Sequence, residues 1–117
     1  MEYIFQNVNL YSINFINNRN DIKFEFLDSY IDSGKYCGEL ICEHVFSLVM
    51  DIDVSEDDED RSFPQFVCDV SIEDSPKNSK HSLVKFQGSE YEISLVCKET
   101  KIVSLFDENG DLPKNNN

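Results

Sequence analysis

The feature that most constrains this chain is alternation: apolar and polar residues trade places in short runs, and the runs are broken by Asn, Asp, Gly, Ser and Pro. That is the pattern of half-buried β-strands joined by turns. Val8, Leu10, Ile13 and Phe15 make a first run whose phase slips near Tyr11-Ser12, the mark of a bulge. Asn17, Asn18, Arg19, Asn20 and Asp21 supply turn chemistry, and Ile22, Phe24 and Phe26 then alternate with Lys23 and Glu25. The two runs predict a hairpin. Beyond Pro64, Phe66, Cys68, Val70 and Ile72 alternate again. Leu83 to Gln87 and Tyr91 to Cys97 flank Gly88-Ser89, with glycine where a type II′ turn asks for it. A polar turn at Lys98-Glu99-Thr100-Lys101 then separates Tyr91 to Cys97 from a last strand, Ile102 to Phe106, in an antiparallel meander.

The segment from Tyr36 to Val54 fits two periods. As a strand, one face carries Leu40, Cys42, His44, Phe46, Leu48, Met50 and Ile52; as a helix, Leu40, Ile41, His44, Val45, Leu48, Val49 and Ile52 form one stripe. Gly34, Gly38 and the density of β-branched residues favour the strand. The expected fold is mainly β, a single antiparallel sheet system of six to seven strands forming a sandwich or curved sheet. One helix within 38–50, giving an α+β arrangement, is the alternative. At 117 residues the chain has the size of one domain. The expected domain is 1–112, with an acidic loop at 55–62 and a tail at 113–117.

Charge narrows the function classes. The formal net charge is −13, from 23 acidic residues against 10 basic ones. Such a chain repels phosphate backbones and anionic lipid, so neither nucleic acid nor a membrane is the expected partner, whereas a basic protein would be steered toward it. The acids are concentrated between Asp51 and Asp60, where Asp51, Asp53, Glu56, Asp57, Asp58, Glu59 and Asp60 crowd into ten residues. Like charges at that density demand solvent, at least from Ser55 onward. The run reads either as a solvated connection that discourages edge pairing or as a contact surface for Lys and Arg. Alternate oxygen-bearing residues from Asp51 to Glu59 resemble the start of an EF-hand, but Glu56 stands where that loop needs glycine and Ser62 where it needs a bidentate Glu. No metal and no cofactor is expected.

The remaining chemistry is sparse. Cys37, Cys42, Cys68 and Cys97 sit in apolar neighbourhoods without a Cys-x-x-Cys pair, and are expected as buried free thiols. No leader-like N-terminus and no apolar run of spanning length is present, which together with the cysteines points to the cytoplasm. His44 lies in an apolar run and reads as a satisfied core histidine, sharing a strand face with Cys42. No nucleophile elbow, phosphate-cradling glycine loop or zinc-binding helix motif occurs, and a non-enzymatic protein is expected. Tyr30, Tyr36 and Tyr91 lie near turns. Tyr30 and Asp32, within Asp28-Ser29-Tyr30-Ile31-Asp32-Ser33, combine an aromatic ring with acids in a way that suits a surface bearing Arg or Lys.

The Asp51 to Asp60 run, the turn region Tyr30-Ile31-Asp32-Ser33-Gly34-Lys35-Tyr36-Cys37-Gly38 and the meander after Leu83 together resemble the small acidic bacterial immunity proteins of polymorphic and contact-dependent toxin systems. The resemblance implies an inhibitor that folds on its own and occludes a cognate basic toxin, such as a nuclease effector domain, as a monomer in a 1:1 complex. The expected partner-binding residues are Asp53, Glu56, Asp57, Asp58, Glu59 and Asp60, with Tyr30, Asp32 and Tyr36. A phage-type acidic inhibitor that mimics nucleic-acid charge, or an adaptor β domain with a merely solvated acidic loop, fits the same composition.

Overall fold

The computed structural model describes residues 2–18, 20–29, 34–52, 66–88 and 91–107. All regular structure among them is β: β1 (Glu2–Ile16), β2 (Asp21–Asp28), β3 (Tyr36–Ile52), β4 (Phe66–Ser75), β5 (Asn78–Gly88) and β6 (Tyr91–Ser104). β1 to β3 form one antiparallel meander and β4 to β6 another. The two meanders join edge to edge, β3 to β6 and β1 to β4, in a closed barrel of order β1-β2-β3-β6-β5-β4. The expected mainly β, single antiparallel sheet is what the fold contains, curved until it closes on itself rather than packed as a sandwich. Closure removes most of the unpaired strand edge that an open sheet of this size would present.

The alternation sets what faces inward. Ile22, Phe24 and Phe26 of β2, Leu40 and Cys42 of β3, Val70 of β4, Val84 and Phe86 of β5, and Ile93, Leu95 and Cys97 of β6 are buried in one cluster. Phe24 and Phe86 meet across the interior with ring centroids 4.6 Å apart, and Phe26 approaches Phe5 at 4.7 Å. Each such ring withdrawn from water contributes about 1.5–3 kcal/mol by transfer alone. Charged residues at the intervening positions, such as Lys23, Glu25 and Lys85, are only partly covered, on the outside. All four cysteines are buried and free. Burial pushes the thiols of Cys37 and Cys68 up to about 12, so they stay protonated. Among the described residues no helix is long and apolar enough to cross a membrane.

Several expectations are corrected in detail. The slip in β1 is present, as a register shift between Leu10 and Ser12, and the β1–β2 hairpin pairs Phe15 with Ile22 and Ile13 with Phe24. The helix alternative for 38–50 is not realised: β3 runs unbroken for 17 residues because β6 pairs along almost its whole length and β2 along its first half. The polar stretch Lys98 to Lys101 is not a turn. It stays extended because Glu99, Thr100 and Lys101 pair with Glu43, Cys42 and Ile41, so the two expected last strands are one and the total is six.

Gln87 pairs with Glu92 and Ser89 of the expected turn lies outside the described residues, while Gly88 belongs to β5 itself. Its glycine identity has another cause: a Cβ there would lie 2.7 Å from the carbonyl oxygen of Val67 and press on the Tyr91 ring. Gly38 is required for the same kind of reason, since at φ +155° a Cβ would collide with the Val103 carbonyl and the Phe5 ring. The acidic loop 55–62 and the tail 113–117 lie outside the described residues.

Candidate functional site

Two outward surfaces gather polar and aromatic side chains. The first lies on β1, β2 and β3. Register places Glu25 of β2 directly opposite Glu39 of β3, a like-charge pair that is unfavourable unless each carboxylate finds donors. Both do. Tyr11 Oη donates to Glu25 Oε2 at 3.0 Å, and Ser12 Oγ donates to Glu25 Oε1 at 3.1 Å. Tyr36 Oη donates to Glu39 Oε2 at 3.1 Å, and Lys23 Nζ lies 3.2 Å from the same oxygen. The Tyr11 and Tyr36 rings meet edge to face at 6.4 Å, so a single aromatic pair bridges the two acids.

The carboxylates mark both phenols. Burial, then the hydrogen bond to Glu39, pushes the Tyr36 phenol up to about 12, and Tyr11 is raised by burial and Glu25. Farther along β3, Glu43 faces Glu99, and Lys101 Nζ lies 3.2 Å from Glu43 Oε1 in an ion pair without an aligned hydrogen bond. The face therefore carries four outward carboxylates, Glu25, Glu39, Glu43 and Glu99, interleaved with two lysines.

The second surface lies where the later part of β3 meets the other meander along β6. The register of β3 against β6 shifts between Val45 and Ser47, and His44 takes the left-handed conformation at φ 55°. The β1–β2 turn holds this irregularity in place: the His44 N–H donates to Asp21 Oδ1 at 2.8 Å and the Val45 N–H to the Asn20 carbonyl at 2.9 Å. Asn17 Nδ2 donates to the other Asp21 oxygen at 2.6 Å, and these two bonds hold the Asp21 carboxyl below its ordinary range. The break in phase turns His44 and Phe46 outward. His44 is exposed and Cys42 is fully buried, so the expected core histidine sharing a face with Cys42 is not what the fold contains.

Phe46 instead reaches across the outside of β6 to the first residues of β5. Its ring stacks on His81 at 4.4 Å and 27°, and His44 approaches it at 4.8 Å. Beside the stack lies a groove of about 420 Å³ bounded by Phe46 and Ser47 of β3, Val96 of β6, and the β4–β5 hairpin. Both histidines of the chain belong to this cluster. Among the described residues no group of three or more His, Cys, Asp or Glu is arranged to hold a metal.

Of the expected partner-binding residues, Tyr36 is placed, in the acid–tyrosine face. Asp53, Glu56, Asp57, Asp58, Glu59, Asp60, Tyr30 and Asp32 lie outside the described residues. Tyr91, expected near a turn, is 4% exposed and belongs to the core. Tyr11 and Glu25 carry no site signal in the sequence, and nothing in its spacing singles out Glu39. Alternation had already turned Glu25 and Glu39 outward, but their meeting depends on the β2–β3 register. His81 and Phe46 give no local signal, because their contact spans β6 and joins residues far apart in the chain.

Residues 3–104 match a family model whose description reads only "-like". The chain belongs to that family. No curated protein matches the chain. The crystal structure of an uncharacterized protein from Neisseria gonorrhoeae is similar, with a TM-score of 0.73 at 21% identity over 89% of this chain and 97% of that one. At that identity the likeness concerns the fold, and it extends over nearly the whole of the neighbour.

Proposed function

We propose that this protein is a binding domain that captures a basic protein partner through the acid–tyrosine face of β1, β2 and β3, as an inhibitor that neutralises a toxin would. The observation that carries the reading is the Glu25–Glu39 pair, two carboxylates set directly opposite each other and capped by Tyr11 and Tyr36. Within the chain the two phenols, Ser12 and Lys23 satisfy the opposed acids, and the net negative charge that two carboxylates against one lysine leave on this face is what a partner's Lys or Arg would meet. Tyrosines at the centre of such a patch offer large, nearly rigid contact area with a polar tip, the composition of interface hot spots. The net charge of −13 supports the same choice of partner, with the acidic run from Asp53 to Asp60 as a further steering element. Four buried free thiols support a reducing, cytoplasmic setting.

The test is affinity capture from the native cell, comparing the intact chain with two variants. Tyr36→Ala combined with Glu25→Gln is expected to lose a basic protein that the intact chain retains at low salt and releases as salt rises, with Tyr36 contributing about 2 kcal/mol. Replacing Asp57, Asp58, Glu59 and Asp60 by Asn or Ser is expected to slow association and flatten its salt dependence. Retention of the same basic partner by the Tyr36→Ala, Glu25→Gln variant would remove the face from the mechanism. Capture of no basic protein at all would remove the reading.

A further inference from the structure

The groove beside the Phe46–His81 stack is not used by the proposed partner face, and its chemistry is opposite to that of the rest of the molecule. In a chain with 23 acidic residues, no acid lines the groove among the described residues. Phe46 and Val96 supply apolar wall, Lys77 a cation, Ser47 and Asn78 uncharged hydrogen-bonding groups, and His81 an imidazole. Lys80 follows two residues after Asn78, with its N–H bonded to the Asn78 side chain at 3.0 Å. A mostly apolar concavity with a few placed polar groups, in a volume of about 420 Å³, is the usual form of a small-molecule site.

The backbone around it is built for the purpose of display. His44 is a non-glycine residue held at φ 55° by a carboxylate from a different hairpin, Asp21, which is itself 8% exposed. Left-handed backbone in a side-chain-bearing residue persists only where the surroundings over-determine it, and it concentrates at binding sites. Here the strain has one visible result: it throws His44 and Phe46 out of the core phase and lays Phe46 nearly parallel to His81.

We propose that this groove binds a small planar anion, an aromatic ring bearing one carboxylate or phosphate group. The ring extends the Phe46–His81 stack over Val96, and the anionic group meets Lys77 at the β4–β5 turn with Ser47 and Asn78 as hydrogen-bond partners. A neutral ring lacks the second interaction and a bare anion lacks the first. The site takes Phe46 and Ser47 from β3 beyond its register shift and its other walls from the β4–β6 meander, whereas Tyr36 opens β3, so the groove stands independently of the partner face.

The experiment is an NMR titration of the full chain with benzoate and with phenyl phosphate, following the imidazole signals of His44 and His81. Benzyl alcohol supplies the neutral ring and inorganic phosphate the ringless anion. Saturable shifts are expected with at least one aromatic anion, and which one saturates identifies the anionic group. Both controls should bind about tenfold more weakly or worse. Phe46→Ala and Lys77→Gln, both at exposed positions, should each weaken binding while leaving the thermal midpoint close to that of the parent, and Tyr36→Phe should change nothing. Shifts that never saturate, equal binding of either control, or undiminished binding to Phe46→Ala would each overturn the proposal.

Discussion

The acid–tyrosine face and the histidine–phenylalanine groove occupy two sides of one barrel and are made in opposite ways. The first is built from regular pairing. Glu25 and Glu39 meet because β2 and β3 keep step from Ile22 to Phe26, and the β1 bulge between Leu10 and Ser12 only adds the neighbouring Tyr11 and Ser12 as donors to Glu25. The second is built from a fault in pairing, a shifted register and a left-handed histidine that bring Phe46 out of β3 and across to His81. Regular strands array charge on a surface at no cost in backbone strain. Gathering rings from β3 and β5 across the outside of β6 requires a break, and here Asp21 stabilises the break.

Both faces depend on the same interior, and the most destructive experiment is aimed there. Phe24 stands behind the acid–tyrosine face and Phe86 lies inward on β5, the strand that carries His81, with the two rings in contact. Phe86→Ala is expected to cost about 3–5 kcal/mol in urea denaturation and to weaken both faces together. Loss of one face with survival of the other would show that the two meanders are not mechanically coupled.

A smaller change separates the faces. His44→Gly removes the strained side chain from the left-handed position, and is expected to stabilise the fold by about 0.5 kcal/mol, net of the greater chain entropy of glycine, while disturbing the groove signals. The hydrogen bond between Tyr36 and Glu39 should be left as it is, and the Tyr36 phenol is the probe. It titrates at about 12, above its ordinary 10.0, so its contribution to stability is complete below the ordinary value and is lost as pH rises toward 12. Absorbance titration should place it there in the parent and in His44→Gly, and lower in Glu39→Gln.

The smallest expected effect lies at low pH. Asp21 has a carboxyl held below its ordinary 3.8 by Asn17 and the His44 N–H, so what it contributes is present above that value and is lost as pH falls through the lowered one. Asp21→Asn should flatten the stability profile below the ordinary 3.8, and in the parent the backbone amide signal of His44 should move as pH falls through that region. A His44 amide signal that stays put there would mean that Asp21 does not hold the bulge.

Legibility followed the range of the interactions involved. In β2, alternation alone assigned Phe24 and Phe26 inward and Glu25 outward, and the phase slip near Tyr11-Ser12 announced a real bulge, because pleating is a property of consecutive residues. The same logic failed at His44, where the phase change is imposed by Asp21, 23 positions away. It failed at Lys98 to Lys101, where polar residues that look like a turn are kept extended by β3.

By itself, then, the sequence determined the β class, the inward set of most strands, the reduced and buried cysteines and the sign of the charge, all of which follow from composition or from neighbours two residues apart. Only the tertiary structure decided that Tyr36 to Ile52 is strand rather than helix, that β1 closes onto β4, that Gly88 serves close packing against Val67 rather than the turn, and that Glu25 meets Glu39 while Phe46 meets His81. The physical reason is the same in each case. A strand's own period says which way a side chain points, whereas the residue it meets is set by the register of strands far apart in the chain.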